Sequence, residues 1–287
     1  MKSALFLGVV CGAGLWAADM PPATAPAASL SFNVRDSGAT GDGRTKDTAT
    51  LQKALDACVA AGGGTVVVPA GVYLTGSIVL GPNTTLRLEP QANLVGSPDV
   101  EDYPLVRVRW EGEYVSGHRA LLAAEKADHL TIQGRGAIFG PPLSLSRPRN
   151  PRGPAVIELA ESDHVLLEGF STQYQQLWSI HLLLCRGLTV RNLVVRSINY
   201  NGDGIDVDSC QDVLIDRCDI NTGDDAIALK SGRGLEAARL GRPTENVVIR
   251  DCTLVSSIFA GIGFGTEMSG GIRHVRLERN TGGNAWA

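Results

Sequence analysis

The chain has 287 residues, of which 44% are hydrophobic, 20% charged and 5% aromatic, and it contains 34 glycines. This composition predicts a single elongated domain with many tight turns and a narrow aliphatic core. The formal net charge of −4 excludes a uniformly basic surface, and with it nucleic acid as the main partner.

The first residues predict an exported protein. A lysine followed by an apolar run makes residues 1–18 a predicted secretory signal peptide. The run is too short to span a membrane. A Pro/Ala-rich linker is expected at 19–31 and the folded domain at 32–287. We therefore expect a secreted or periplasmic protein without a membrane span.

One helix is predicted near the start of the domain. Apolar residues follow helical spacing between Asp47 and Ala61, with Asp47 placed as the N-cap and Gly62–Gly64 ending the helix. The segments that follow have the period of strands, so we expect this short helix to cap the end of an all-β solenoid.

Two repeats of strand period dominate the rest of the chain. Four eight-residue stretches, starting at 178, 203, 225 and 260, align without a gap and share an isoleucine at their third position. A second ladder of short apolar stretches runs beside them, and Gly, Asn and Asp clusters separate the copies. Repeats of this length predict a right-handed parallel β-helix, in which each strand pairs with its equivalent one coil away at about 4.8 Å.

Four cysteines occupy equivalent positions in these repeats. Cys185 and Cys210 close neighbouring stretches of the first repeat, and Cys218 and Cys252 end copies of the second. Each pair should lie one coil apart, which is within the Cα range of a disulfide. Two alternatives remain open, namely disulfides or a reduced ladder of small buried thiols. No Cys/His spacing indicates a metal, and no metal or cofactor is expected.

Two acidic turns open neighbouring copies of the first repeat, Asn-Gly-Asp203 and Gly-Asp224-Asp225. The shared register places Asp203 and Asp225 in one column, with Asp224 one residue upstream. Aspartates are ordinary turn residues. Three converging carboxylates repel one another, however, and proteins tolerate such repulsion mostly at metal-binding or catalytic sites. One member should keep its proton through a raised pKa. A carboxylic acid beside carboxylates is what cleavage of a glycosidic bond requires.

Three residues near this cluster are candidates for substrate binding. Lys230 shares a column with Asp208, so it either pairs with Asp208 or offers its cation to a substrate carboxylate. His181 stacks next to Asp206 and either contacts substrate or belongs to a local hydrogen-bond network. Asn201 opens the first acidic turn. Both Asp206 and Asp208 alternate with core residues and are expected to point outward.

The opening segment from Phe32 to Gly43 and its helix resemble pectin-lyase-like β-helix enzymes, and the acidic turns resemble glycoside hydrolase family 28, the polygalacturonases and their relatives. The resemblance covers nearly the whole mature chain. It implies hydrolysis of galacturonic-acid-containing, pectin-type polysaccharide by an inverting mechanism, with Asp224 as the acid and Asp203 and Asp225 as the bases. The implied partner is an acidic polysaccharide or oligosaccharide, and the complete protein is expected to be a monomer. Local affinity for such a chain would come from a basic patch formed by Lys230, Arg233, Arg239 and Arg242, unless these side chains are simply solvated.

Two departures from the family pattern keep other functions open. Ile258-Phe259-Ala260 replaces the usual Gly-His-Gly, so the family's active-site histidine has no counterpart, although one branch of the family carries Phe-Ala-Gly there. The chain also stops before the coil that holds the family's basic substrate motif, and we expect C-terminal coils to be missing. The alternatives are a non-catalytic carbohydrate-binding remnant and a β-eliminating lyase with Ca²⁺ at the acids.

Overall fold

The computed structural model describes residues 30–143, 151–174, 177–197 and 199–283. Its helices are α1 (Thr48–Ala60) and α2 (Gly234–Leu240), with a 3₁₀ turn at Val100–Asp102. Its strands are β1 (Ser31–Asn33), β2 (Asp42–Lys46), β3 (Gly64–Val68), β4 (Gly71–Thr75), β5 (Ile78–Val79), β6 (Thr84–Leu88), β7 (Ala92–Gly96), β8 (Leu105–Trp110), β9 (Glu113–His118), β10 (Leu122–Glu125), β11 (Thr131–Gly134), β12 (Ala137–Phe139), β13 (Ile157–Ala160), β14 (Leu166–Glu168), β15 (Ser171–Gln173), β16 (Ile180–Leu183), β17 (Arg186–Arg191), β18 (Val194–Arg196), β19 (Ile205–Asp208), β20 (Gln211–Asp216), β21 (Asp219–Thr222), β22 (Ile227–Lys230), β23 (Thr244–Arg250), β24 (Thr253–Ser256), β25 (Ile262–Phe264), β26 (Ile272–Glu278) and β27 (Thr281–Gly283).

Three parallel sheets wind around one axis and form the right-handed parallel β-helix that the repeats predict. Sheet A has nine strands from β1 to β26, sheet B has nine from β2 to β27, and sheet C has seven from β5 to β25. The isoleucines of the first repeat stack in register, with Ile205 opposite both Ile180 and Ile227. Because the period of a strand is two, this register also fixes which side chains of sheet C face outward.

The core is a column of aliphatic side chains between the three sheets, closed at one end by α1. The helix buries Leu51, Leu55 and Cys58 against the first coils, as its apolar spacing predicts. Asp47 does occupy the N-cap position, but its side chain makes no capping bond. Its carboxylate instead accepts hydrogen bonds from the backbone N–H groups of Thr40 and Gly41, at 2.7 and 2.9 Å.

An antiparallel hairpin of β8 and β9 covers part of the outer face of sheet C, and the sequence analysis did not identify it. Arg109 of this hairpin is buried, and its Nε lies 3.1 Å from Oδ2 of Asp208. The outward-facing carboxylates of Asp206 and Asp208 are therefore only 0% and 1% exposed. They leave the core as predicted, but the hairpin shields Asp208 from solvent.

The five cysteines of the described region are buried free thiols. The four cysteines of the repeats form the reduced ladder rather than disulfides: the Cys185 backbone nitrogen lies 3.3 Å from Sγ of Cys210, and the Cys218 backbone nitrogen lies 3.4 Å from Sγ of Cys252. The predicted signal peptide lies outside the described residues, as does the linker up to residue 29. Within the described ranges, no helix is long and apolar enough to cross a membrane.

Candidate active site

The three predicted catalytic aspartates meet where the chain passes from sheet B into sheet C. Asp203 lies just before β19, and Asp224 and Asp225 lie just before β22, one coil further on. One carboxylate oxygen from each lies within 4.8 Å of the others. The structure thus brings together the three aspartates that the register of the sequence repeat predicts to lie close to one another.

Backbone contacts between coils fix these carboxylates. Asp224 accepts hydrogen bonds from the N–H groups of Asn201, at 3.1 Å, and Asp225, at 2.9 Å. Asp225 in turn accepts one from Ala260 N–H at 2.9 Å. Gly204 allows the coils to approach this closely, because a Cβ there would lie 2.3 Å from the Ala226 carbonyl oxygen. Asn201 therefore takes part through its backbone as well as by lining the site.

The aspartates line an open cleft of about 350 Å³. Several of its walls were not predicted from the sequence, and they come from the β8–β9 hairpin, from the turn before β19, and from β25 with the segment that follows it. The residues that form these walls, in addition to the predicted ones, include Trp110, Glu111, Tyr200, Phe264, Thr266 and Glu267. Phe259, at the position where the family pattern has its histidine, also lines the cleft and meets the Tyr200 ring edge-on, with the ring centroids 6.1 Å apart.

Lys230 is enclosed within this cleft by three carboxylates and an indole ring. Its Nζ lies 2.8 Å from Oδ1 of Asp206, 3.5 Å from Oδ2 of Asp203 and 3.9 Å from Oε1 of Glu267. The Trp178 ring covers it at 3.8 Å from the ring centroid. Burial favours the neutral amine, but these carboxylates outweigh burial and raise the pKa of Lys230.

The prediction that Lys230 would pair with Asp208 is wrong in its partner. Both residues do share a column of sheet C, but Arg109 already occupies the Asp208 carboxylate. The long lysine side chain reaches diagonally to Asp206 instead, which lies two residues before Asp208 on the same face of the strand.

His181 lies beneath Trp178 and does not line the cleft. It is 1% exposed, its Nδ1 is 3.0 Å from Oε2 of Glu158, and the Trp178 ring meets it edge-on at 4.9 Å. Burial opposes its charged form, but the hydrogen bond and charge of Glu158 raise the pKa of His181 overall. This environment agrees with the local hydrogen-bond network rather than with direct contact to a substrate.

All three aspartates have pKa values above the ordinary range for that side chain. Burial raises the pKa of Asp203 well above that range, and the Asp206 charge adds to the effect while Lys230 opposes it. Burial also raises the pKa of Asp224 against its two backbone hydrogen bonds. Burial and the Asp224 charge raise that of Asp225, although the Ala260 N–H opposes them. The cluster can therefore keep a proton in mildly acidic solution while its other members are ionised.

The same three carboxylates also offer the hard oxygen ligands that a divalent cation takes. Lys230, however, already places one positive charge 3.5 Å from Asp203. The arrangement of one protonated carboxyl beside ionised ones suits general acid and base catalysis at a bond placed in the cleft.

Comparison with known proteins agrees with this chemistry. Residues 58–260 match the family model for glycosyl hydrolases family 28. The chain is 33% identical over 270 residues to a probable polygalacturonase of Vitis vinifera, with 86% of this chain and 54% of the relative covered. It is 28% identical over 271 residues to an exo-poly-alpha-D-galacturonosidase of Dickeya chrysanthemi, with 75% and 44% covered.

Solved structures show the same relationship. The crystal structure of a hyperthermoactive exopolygalacturonase from Thermotoga maritima aligns with a TM-score of 0.80 and 30% identity, over 88% of this chain and 66% of that one. The chain spans about half the length of the curated relatives that it matches. The family match covers most of the chain and includes all three aspartates, and the chain belongs to family 28 of the glycosyl hydrolases.

Proposed function

We propose that this protein is a secreted glycoside hydrolase that cleaves galacturonic-acid-containing, pectin-type polysaccharide. The observation that carries the proposal is the convergence of Asp203, Asp224 and Asp225 within 4.8 Å at an open cleft. Family membership supports hydrolysis, and the relatives named as galacturonan-cleaving enzymes support the substrate. The signal peptide predicted at residues 1–18 and a polymeric substrate support secretion.

In this proposal Asp224 is the general acid. This assignment follows the family pattern, in which the first of the paired aspartates is the acid. Burial raises the pKa of Asp224, so that its carboxyl can hold a proton. The Lys230 ammonium, 3.5 Å from Asp203, opposes the effect of burial on that carboxyl, and Asp225 accepts a hydrogen bond from the Ala260 N–H, which favours its ionised form. Asp224 donates its proton to the oxygen of the departing sugar.

Asp203 and Asp225 act as bases on one water molecule. Oxygens up to 4.8 Å apart can both accept from a water between them, because each such hydrogen bond is about 2.7–2.8 Å long and the two need not be collinear. Attack by this water would invert the anomeric carbon. The oxygens of the acid Asp224 and of the two bases lie within 4.8 Å of one another. This separation of acid and base is shorter than the roughly 6.5–9.5 Å common in inverting enzymes and close to the roughly 5–5.5 Å of retaining ones. The anomer of the first product, followed by NMR, therefore tests this step directly.

The proposed reaction is tested by incubating the protein with polygalacturonate and analysing the products. We expect new reducing ends, no unsaturated uronate, and a rate that is unchanged by a chelator. Unsaturated product that disappears with the chelator would replace the proposal with a Ca²⁺-dependent lyase. Binding of the polymer without any product would instead identify a carbohydrate-binding protein.

A further inference from the structure

The cleft is strongly anionic, which poses a problem for any substrate that carries carboxylates. Asp203, Asp224, Asp225, Glu111 and Glu267 all line it. A uronate unit entering this space meets like charges, so its binding needs a cation close to the cleft. Among the residues described as lining the cleft, Lys230 is the basic one.

Lys230 is poorly placed to meet this need. Its side chain is 6% exposed, and its ammonium is already held at 2.8 Å from Asp206 beneath the Trp178 ring. Transfer of the ammonium to a substrate carboxylate would leave Asp206, which is 0% exposed, as an uncompensated buried charge. Such a loss outweighs the gain of one new ion pair.

Arg233 lies at the junction of two walls of the same cleft. Its Nη2 donates a long hydrogen bond of 3.4 Å to Oγ1 of Thr266, and its Nη1 lies 3.9 Å from Oε2 of Glu111. Both contacted residues line the cleft. The side chain is 45% exposed, and contacts of this length leave guanidinium N–H groups for an incoming carboxylate.

The backbone of Arg233 is held firmly in this position. A Cβ on Gly112, in the hairpin turn, would lie 2.6 Å from the Arg233 backbone nitrogen, so the turn packs directly against it. On the other side, the N–H of Gly234 donates to Oγ of Ser269 at 2.8 Å. A cation on such a rigid base loses little conformational freedom when it binds a ligand.

We infer that Arg233 is the specificity-determining residue that binds the carboxylate of a galacturonate unit at the rim of this cleft. The inference rests on the proposed function for its substrate. It assigns the charge recognition to Arg233 at the rim and leaves Lys230 to stabilise the aspartates inside. A planar guanidinium with two N–H groups directed at one carboxylate also explains why arginine rather than lysine suits this position.

The test compares Arg233→Gln with Arg87→Gln, a matched control on β6 whose side chain is 44% exposed and does not line the cleft. Kinetics are measured on polygalacturonate and on the same polymer after methyl esterification. Loss of one charge-assisted bond should raise KM for polygalacturonate by about 10- to 100-fold, with kcat little changed. The esterified polymer should be affected far less, the difference should shrink at high salt, and Arg233→Lys should recover only part of the loss.

Equilibrium binding of a galacturonate oligosaccharide, measured in the Asp224→Asn background, separates this inference from the proposed function. A wild-type enzyme that cleaves polygalacturonate, combined with an Arg233→Gln variant that binds and discriminates normally, would overturn the role of Arg233 alone. A protein that binds the oligosaccharide through Arg233 but cleaves nothing would overturn the hydrolase and keep the inference. A wild-type protein that neither binds nor cleaves would overturn both.

Discussion

Replacing Lys230 by methionine should destabilise the fold and slow the reaction on charged and neutral substrates alike. Methionine keeps an unbranched apolar side chain of similar length beneath Trp178 but removes the ammonium. Asp206 then loses a partner at 2.8 Å and Asp203 loses one at 3.5 Å, and both carboxylates are almost fully buried. The substitution therefore tests whether the lysine acts inside the protein or on the substrate.

The size of the effect follows from these distances. At an effective dielectric constant of about 20, the ammonium attracts Asp206 by about 6 kcal/mol and Asp203 by about 5 kcal/mol. Desolvation of the three charges offsets much of this, and the loss of one partner from a buried pair typically costs about 3–5 kcal/mol.

The loss should depend on pH. Burial raises the pKa of Asp206 to about 6 in the native protein, and without the lysine its pKa rises further. The variant therefore keeps Asp206 protonated where the wild type has it ionised. Consequently the difference in unfolding free energy should grow as the pH rises above about 6 and be smaller below it.

Denaturant unfolding at about pH 5 and about pH 8 measures this stability difference, with Lys126→Met as the control because Lys126 is 69% exposed. Kinetics on polygalacturonate and its methyl ester complete the assay, and kcat should fall on both because Asp203 is disturbed. A variant of wild-type stability that loses activity on the anionic polymer alone would refute the internal role and make Lys230 a substrate contact.

Three further predictions concern the acid, the glycine between the coils and the thiols. Because burial raises the pKa of Asp224, activity on polygalacturonate should fall as the pH rises through that pKa. The activity on an aryl galacturonide with a good leaving group should not show this fall, because departure of that group needs no acid. Gly204→Ala should lower both melting temperature and kcat, since its Cβ would lie 2.3 Å from a backbone oxygen, whereas Gly261→Ala, with 3.6 Å of room, should be tolerated; equal behaviour of the two variants would contradict the packing argument. The stacked cysteines should not react with a thiol reagent until the protein is unfolded, and an intact mass that rises on reduction would show that disulfides form instead.

Much of the fold could be predicted because each coil repeats the same local pattern. The isoleucine column fixes the register of sheet C, and that register alone groups Asp203 with Asp225. The helix α1 could also be predicted from the sequence, because the spacing of its apolar residues differs from that of every strand after it. These features are set by residues that are close in sequence or occupy equivalent positions of the repeat.

The residues that the sequence analysis missed depend on contacts outside the repeat. The partner of Asp208 is Arg109, which comes from a hairpin inserted between coils. The alternating residues of the strand Leu105–Trp110 and the Glu-Gly turn after it could have predicted this hairpin from the sequence. Glu267 closes the fourth copy of the first repeat, in the place of Cys210, but only the structure shows its carboxylate beside Lys230.

The central claim is that the three clustered aspartates perform the cleavage, and single substitution of each by asparagine tests it most directly. Asp219→Asn is the matched control, because Asp219 lies on β21, which leads into the cluster, yet pairs with Arg196 on the outside. We predict that turnover of polygalacturonate falls by roughly 10² or more in Asp203→Asn, Asp224→Asn and Asp225→Asn, with unchanged circular dichroism, because general acid–base catalysis alone contributes about that factor. Wild-type turnover in one of these variants would remove that residue from the mechanism, and wild-type turnover in all three would contradict the account.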